Sequence, residues 1–173
     1  MRPYKDFIVS PIGDRYNNCI KIGDNHQFVN RRAKIIATPL LFQSPINVGD
    51  EVIVHHNVFR RWNDMKGREK NSRSYFKEDQ YIISLDQIYL YKQDKFIAMN
   101  GYSFIKPIVS NDNLSFDNEK NLIGVVKYSD GTFNKGELVG YRPKMICEDF
   151  INGERLYRIM NKFITIKYEY QGN

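Results

Sequence analysis

The sequence predicts an all-β fold built from two tandem, related domains. Its apolar segments are short, rich in Ile, Val, Phe and Tyr, and interrupted by Gly, Asn, Asp or Pro about every ten residues, which is typical of many short strands. No stretch keeps a 3.6-residue apolar period over several turns, so little helix is expected. The second half of the chain repeats the pattern of the first, which indicates a duplication.

Ten segments of the chain are predicted to be strands, because each combines β-branched or aromatic residues with flanking turn residues. A hydrophobic content of 42% over 173 residues supplies enough apolar surface for a packed core. In chain order the predicted strands are residues 6–10, 34–38, 51–55, 81–84, 87–92, 102–107, 123–128, 137–141, 155–160 and 163–170.

The two halves of the chain match in four blocks that keep the same order. The second copy is shorter between blocks, and such differences fall in loops because extra loop length costs little. Chance alignment of two β-rich halves through Gly-Asp turns and Ile/Val runs is the alternative. The matched pairs are residues 6–12 with 102–108, 34–37 with 124–127, 48–52 with 135–139, and 81–91 with 157–167.

The repeat predicts a first domain at residues 1–93, with a basic insertion at 58–79, and a second, shorter domain at 101–173. Between them lies a polar stretch, residues 93–101, that ends in Asn-Gly. A short polar linker of this kind is typical of a domain boundary.

Three segments of the first copy each carry a motif, and they follow one another in order. Arg-Pro-Tyr-Lys-Asp at 2–6 leads into an apolar strand, and Val-Gly-Asp-Glu-Val-Ile-Val occupies 48–54. Tyr-Ile-Ile-Ser-Leu-Asp-Gln-Ile-Tyr occupies 81–89. Together they resemble the opening, central and closing strands of the GroES-type (ten-kilodalton) co-chaperonins, a family with tandem-domain members and divergent phage-encoded ones.

The resemblance implies two tandem small GroES-like β-barrels that form a ring and cap a chaperonin barrel to assist protein folding. In that family a mobile loop between the first two strands docks a short apolar segment on the chaperonin. The matching loop is 13–32, and its apolar patch, the expected chaperonin-binding segment, is Cys19, Ile20, Lys21, Ile22 and Gly23. Lys21 interrupts the apolar run, so Ile20 and Ile22 as alternate residues of an ordinary strand are the alternative.

The second copy has a shorter equivalent loop at 110–121, where Leu114 and Phe116 stand in a polar, acidic stretch. It is either a second docking loop or a plain connection whose apolar residues pack on the barrel. Ordering a loop on binding costs about 1–2 kcal/mol per residue. Several loops on one ring offset this cost together, because each bound loop raises the effective concentration of the next.

The segment 58–79 departs most from the family pattern. It interleaves four aromatic residues with seven basic ones, as a single-stranded nucleic-acid surface does, where cations neutralise phosphates and rings stack on bases. Four carboxylates in the same segment offset part of this charge, which favours a solvated hairpin or a ring-contact insertion instead. The residues singled out are Arg60, Arg61, Trp62, Lys66, Arg68, Lys70 and Arg73.

The sequence contains no HExxH, no phosphate-binding Gly-rich loop, no nucleophile elbow and no dinucleotide fingerprint. His55 and His56 are expected to point to opposite faces of a strand, which argues against a shared metal. Cys19 and Cys147 are too few for a disulfide scaffold and are expected to be reduced thiols. We therefore expect no enzyme activity, no metal and no cofactor, with any ATP bound by the partner chaperonin.

The expected partners are a GroEL-like chaperonin, its folding substrates and further copies of the chain, in the cytoplasm or, for a viral chain, the host cytoplasm. No signal peptide and no apolar run of about 20 residues is present, so no membrane association is expected. A net charge of +6 permits an acidic partner without requiring nucleic acid. The alternatives are a phage capsid or tail protein with a GroES-like fold and, less favoured, a single-stranded nucleic-acid-binding β-barrel.

Overall fold

The computed structural model describes residues 2–13, 30–99, 101–109, 119–143 and 146–169. These residues form antiparallel strands joined by turns, together with short 3-10 helical turns. The all-β prediction is thereby confirmed.

The described strands are numbered in chain order. The strands are β1 (Phe7–Pro11), β2 (Arg32–Ala37), β3 (Glu51–Val54), β4 (Arg61–Asn63), β5 (Glu69–Asn71), β6 (Tyr75–Lys77), β7 (Gln80–Ile83), β8 (Ile88–Lys92), β9 (Phe96–Ala98), β10 (Tyr102–Val109), β11 (Glu119–Ser129), β12 (Leu138–Tyr141), β13 (Cys147–Ile151), β14 (Glu154–Met160) and β15 (Ile164–Tyr168). Short 3-10 turns at Leu85–Gln87 and Asn161–Phe163 directly precede β8 and β15, respectively.

The chain divides into two compact units, residues 1–96 (unit 1) and 97–173 (unit 2). The first sheet has the strand order β6-β7-β1-β2-β3-β8-β9, and the second has the order β13-β14-β10-β11-β12-β15. Strands β4 and β5 form a separate two-stranded sheet. Closure of either large sheet into a barrel stays a prediction.

The two large sheets repeat one strand order, since β6-β7-β1-β2-β3-β8 and β13-β14-β10-β11-β12-β15 correspond strand by strand. Two of their register shifts also correspond, whereas the shifts at Pro107–Val109 and at Tyr75–Lys77 have no counterpart among the described strands of the other sheet. Between the first two strands the shift falls at Ile8–Val9 in one sheet and at Phe104–Ile105 in the other. Between β3 and β8 the shift falls at Ile53–Val54, and between the equivalent strands β12 and β15 it falls at Gly140–Tyr141. Bulges are specific features of a fold, so their coincidence supports a duplicated domain.

The apolar cores of the two units use equivalent positions. The core cluster of unit 2 is built from Ile105, Val126, Val139, Tyr141 and Ile159. The strand registers give each of them an equivalent buried apolar residue in unit 1. Full burial of such a side chain contributes about 1.5–3 kcal/mol to stability. The equivalent residues of unit 1, in the same order, are Val9, Ile35, Val52, Val54 and Ile83.

A glycine turn precedes the third strand of each sheet. Gly49 (φ 96°) donates its N–H to the Ile35 carbonyl over 2.8 Å, and Gly136 (φ 94°) donates to the Val126 carbonyl over 2.8 Å. Ile35 therefore corresponds to Val126, whereas the sequence alignment paired it with Val125. The alignment was wrong by one residue because two β-branched residues stand side by side in each strand and give no period-2 signal.

Five strands were not predicted from the sequence. Four of them, β4, β5, β6 and β9, have only three residues each, which is too short to show an alternating pattern. The fifth, β13, contains the acidic pair Glu148-Asp149, and acidic residues are depleted in strands. Asp149 is nevertheless buried, because the Arg158 guanidinium of the neighbouring strand lies 3.4 Å from its carboxylate.

Candidate functional site

The segments predicted to dock on a chaperonin lie outside the described residues. This holds for Cys19, Ile20, Lys21, Ile22 and Gly23 of the first loop. It also holds for the apolar pair of the second loop, Leu114 and Phe116.

The strands flanking both predicted loops are described, and they show where each loop is attached. The first loop connects β1 to β2 and the second connects β10 to β11, which are the equivalent strand pairs of the two sheets. In each sheet these strands are antiparallel neighbours. The end of the second predicted loop was placed wrongly, because Glu119 already pairs with Val109 as part of β11.

The base of the first loop is closed by hydrogen bonds. Ile12 donates its N–H to the Arg32 carbonyl over 3.0 Å. The buried side chain of Asn30 donates from Nδ2 to the Ile12 carbonyl over 2.6 Å and accepts from Arg32 N–H over 2.9 Å. The loop therefore leaves and re-enters the sheet at adjacent points, so its attachment is fixed by the sheet.

The basic insertion forms a hairpin of β4 and β5, with Arg61 opposite Asn71, Trp62 opposite Lys70, and Asn63 opposite Glu69. The turn between the strands is held by Asp64, whose Oδ1 accepts N–H bonds from Lys66 and Arg68, both at 2.9 Å. Asp and Gly are the residue types that such turns require, and Gly67 has a φ of 74° here.

The hairpin is anchored in unit 1 at its base. Val58 and Phe59 are buried, and the Phe59 ring packs edge-on against Tyr81 with a centroid distance of 4.8 Å. Ser72 donates a hydrogen bond from its hydroxyl to the Val58 carbonyl over 2.5 Å. Burial raises the pKa of the Tyr81 hydroxyl, and the positive charge of Arg61 opposes part of that rise.

The two faces of the hairpin differ in character, because directly opposed residues share a face and neighbours along a strand alternate. Arg61 and Glu69 share one face, where their side chains form an ion pair at 3.1 Å. Trp62 and Lys70 share the other face, together with Asp64, which lies 3.8 Å from the Lys70 ammonium. We call this second face the Trp62 face; it comprises Trp62, Asp64, Arg68 and Lys70, with Arg68 also 3.8 Å from Asp64.

The seven residues singled out in the insertion do not form one surface. Trp62, Arg68 and Lys70 come together on the Trp62 face, whereas Arg61 lies on the opposite face. Lys66 is exposed in the hairpin turn. Arg60 is half-buried at the start of the hairpin, and Arg73 is exposed in the turn before β6.

The hairpin has no equivalent among the described residues of unit 2. There β12 is followed by β13 after residues 142–146, whereas in unit 1 residues 55–74 separate β3 from β6. Strand β6 itself corresponds to β13 in the shared strand order. Tyr75, Phe76 and Lys77 therefore belong to the common sheet, and the added part of unit 1 is shorter than the predicted range.

Strands β8 and β15, which are equivalent in the shared strand order, differ in how they are covered. In β8, Tyr89, Leu90 and Tyr91 are buried, and β9 pairs with its outer edge. In β15, Ile166 is 50% exposed and Tyr168 is 39% exposed. Within the described parts of the chain, β15 has β12 on one side and no strand on the other. Unit 2 therefore presents an open, partly apolar sheet edge that the equivalent strand of unit 1 does not.

The histidine pair does not lie on a strand. Strand β3 ends at Val54, and the rings of His55 and His56 stack with centroids 4.1 Å apart instead of pointing to opposite faces. The predicted orientation was wrong because the chain turns directly after β3. His55 accepts an N–H bond from Asn57 at Nδ1 over 3.1 Å. Over the described ranges, no three His, Cys, Asp or Glu side chains are grouped as metal ligands would be.

No protein-family model matches this chain, and neither does any curated protein. The described residues include no helix with the length and hydropathy needed to cross a bilayer. The GroES resemblance therefore rests on the quoted sequence segments alone.

Three structural features of the candidate interaction sites were not found from the sequence. They are the hydrogen bonds of Asn30 at the base of the first loop, the open edge of β15, and the placement of Glu69 and Trp62 on different faces of the hairpin. An Asn just before a predicted strand is a weak signal, since Asn is common in turns. The other two features depend on strand pairing, which a single sequence does not show.

Proposed function

We propose that this chain is a ring-forming co-chaperonin that caps a chaperonin barrel through the loops that follow the first strand of each unit. The observation that carries the proposal is the position of the two predicted loops. Both connect the first and second strands of sheets that share one order over six strands, with a register shift at an equivalent place between those two strands. A duplicated domain that keeps this connection in both copies is what a tandem co-chaperonin requires.

The loop attachment supports multivalent docking. Asn30 and the Ile12 to Arg32 hydrogen bond hold the two ends of the first loop together at one point of the sheet. A segment tethered at a fixed point on each ring position raises the effective concentration of its neighbours, so weak contacts combine into tight but reversible capping. In this proposal ATP is bound and hydrolysed by the partner chaperonin.

The β15 edge supports ring assembly. An open edge with exposed apolar side chains is a template for pairing with another chain, and Ile166 and Tyr168 supply the apolar surface. A head-to-tail contact repeated around a closed rotation generates a ring. The proposal therefore assigns the β15 edge to the contact between neighbouring copies.

The deciding experiment mixes the purified chain with a GroEL-type chaperonin and ATP and follows both proteins on a sizing column. We expect co-migration that depends on ATP and refolding of a denatured test substrate. A sample without nucleotide is the control. Assembly of the chain into rings or tubes that never bind a chaperonin would overturn the proposal and favour a phage structural protein.

A further inference from the structure

The Trp62 face of the β4–β5 hairpin has properties that the co-chaperonin proposal does not use. Trp62 is 41% exposed, and it lies directly opposite Lys70 in the antiparallel pair. Side chains opposed in this way have Cβ atoms about 4.5–5.5 Å apart. The Trp62 and Lys70 side chains therefore leave the hairpin from neighbouring positions of one face, on a surface that the fold holds in place through buried Val58 and Phe59.

Most carboxylates of the segment 58–79 lie away from the Trp62 face, so their negative charge does not oppose an anionic ligand there. Four carboxylates in the segment 58–79 offset its positive charge in the sequence. Glu69 lies on the opposite face, paired with Arg61. Glu78 and Asp79 lie at the turn between β6 and β7, outside the hairpin.

Of the four carboxylates in the segment 58–79, Asp64 alone lies on the Trp62 face. Two cations share it. Both Arg68 and Lys70 lie 3.8 Å from it, and their side chains are 65% and 50% exposed. One carboxylate neutralises at most one of two cations, so the face keeps a net positive charge. Lys66 adds a further exposed cation at the adjoining turn.

We propose that the Trp62 face binds single-stranded nucleic acid, with Arg68 and Lys70 contacting phosphates and Trp62 stacking on a base. Phosphate groups complement the net positive charge, and an exposed ring between cations suits an unpaired base. An acidic peptide complements the charge but supplies no planar group for the indole. A duplex supplies phosphates, but its bases are already stacked.

Trp62 is the single tryptophan of the chain, so tryptophan emission, excited selectively over that of the tyrosines, reports on this face alone. The test titrates the full-length protein with an oligothymidine of on the order of 16 nucleotides, the upper end of the site size of one small β-barrel. We expect saturable quenching of the tryptophan emission. The logarithm of the affinity is expected to fall linearly with the logarithm of the salt concentration, with a slope of about −0.7 per phosphate contacted.

Variants are compared by the fluorescence anisotropy of a labelled oligothymidine, which does not depend on the tryptophan. Trp62→Ala is expected to weaken binding about tenfold or more, and Trp62→Phe less, because a phenyl ring still stacks. Lys70→Ala is expected to reduce the salt slope by about 0.7. Lys135→Glu, at an exposed turn of unit 2, is the control and is expected to weaken binding less than Lys70→Glu.

The outcomes separate the ligand classes. Weaker binding of a duplex and of polyglutamate than of the oligothymidine supports the proposal. Binding of polyglutamate as tight as that of the oligothymidine, or unchanged affinity of Trp62→Ala, overturns it, as does the absence of quenching at low salt. Chaperonin capping by the Trp62→Ala variant is measured in parallel. A variant that loses oligothymidine binding but still caps the chaperonin shows that nucleic-acid binding and capping are independent.

Discussion

The side-chain amide of Asn30 donates a hydrogen bond to the backbone carbonyl of Ile12 over 2.6 Å, which joins the two ends of the first predicted docking loop. Asn30 is only 4% exposed, and its loss removes a hydrogen-bond partner from the Ile12 carbonyl and from the Arg32 N–H, which are partly buried. We expect Asn30→Ala to lower the free energy of unfolding by about 1–3 kcal/mol. Urea denaturation measures this value. Asn57→Ala, the same change at an exposed site, is expected to alter it by about 0.5 kcal/mol or less.

The docking assignment is tested by changing both apolar residues of the first loop. We expect Ile20→Ser combined with Ile22→Ser to abolish co-migration with a chaperonin, because the apolar contact that offsets loop ordering is lost. Circular dichroism should show an unchanged fold. Val48→Ser makes the same kind of change at a residue that is 63% exposed outside the loop, and it should keep chaperonin binding. Full binding by the double variant would refute the loop assignment.

Ring assembly is tested at the open edge of unit 2. Ile166→Lys combined with Tyr168→Lys places two charges on β15, and charge on an edge strand opposes pairing with another chain. We expect the assembly to dissociate into smaller species, measured by light scattering on a sizing column. Ile36→Lys alters a 40% exposed apolar residue on β2, which has a strand on either side, and should leave the assembly intact. An unchanged mass for the β15 variant would place the ring contact elsewhere.

Asp130 is expected to make the stability of unit 2 depend on pH. Burial alone would raise the pKa of this carboxyl group, but hydrogen bonds from Thr132, the Gly101 N–H and Asn161 together hold the pKa below its ordinary value. The ionised group therefore stabilises the fold at pH values above its unfolded pKa, and this contribution is lost as the pH falls through the lower, folded pKa.

Asp130→Asn tests this dependence by denaturation at several pH values. We expect a lower free energy of unfolding than the wild type at neutral pH, and a smaller loss of stability as the medium is acidified. Hydrogen bonds to a charged group contribute about 1.5–3 kcal/mol each, so the difference at neutral pH should be measurable. Parallel pH curves for the two proteins would contradict this account.

Because the two units are equivalent, we expect alanine substitutions at their two glycine turns to lower stability by similar amounts. Gly49 and Gly136 both have positive φ, at 96° and 94°, and no atom lies within 4 Å of a Cβ added at either one. Alanine there meets backbone strain but no steric clash, so we expect each Gly→Ala change to lower stability by about 1–2 kcal/mol. Gly124→Ala should cost more, because its Cβ would lie 2.7 Å from the Lys106 carbonyl oxygen. Thermal unfolding of the three variants tests this order.

The sequence predicted the strands of the common sheet well because they are bounded by turn residues. The ten predicted strands all coincide with observed ones to within a few residues, and the repeat blocks follow the shared strand order. The one-residue error at Ile35 arose where Ile35 and Ile36 are equally apolar. In the structure Ile35 is 1% exposed and Ile36 is 40% exposed, because the two side chains point to opposite faces of β2 and only one of these faces is buried.

The composition of the basic hairpin does not show which of its charged residues lie on the same face. The sequence contains Trp62, its neighbouring cations and the carboxylates that offset them, but it does not state which of these share a face. The pairing of Trp62 with Lys70 separates Glu69 from the Trp62 face. That register is set by hydrogen bonds and by the turn at Asp64, so the net charge of each face is a property of the folded hairpin.

The amino-acid sequence by itself determined the all-β class and the positions of most strands, because alternation and turn chemistry are local properties of the chain. Tertiary structure alone decided that β8 is covered and β15 is open, although both strands are rich in Ile and Tyr. The physical reason is that the residues of a strand do not show whether another segment pairs with its outer edge, which only the assembled sheet decides. In this chain β9 does so for β8, and no described strand does so for β15.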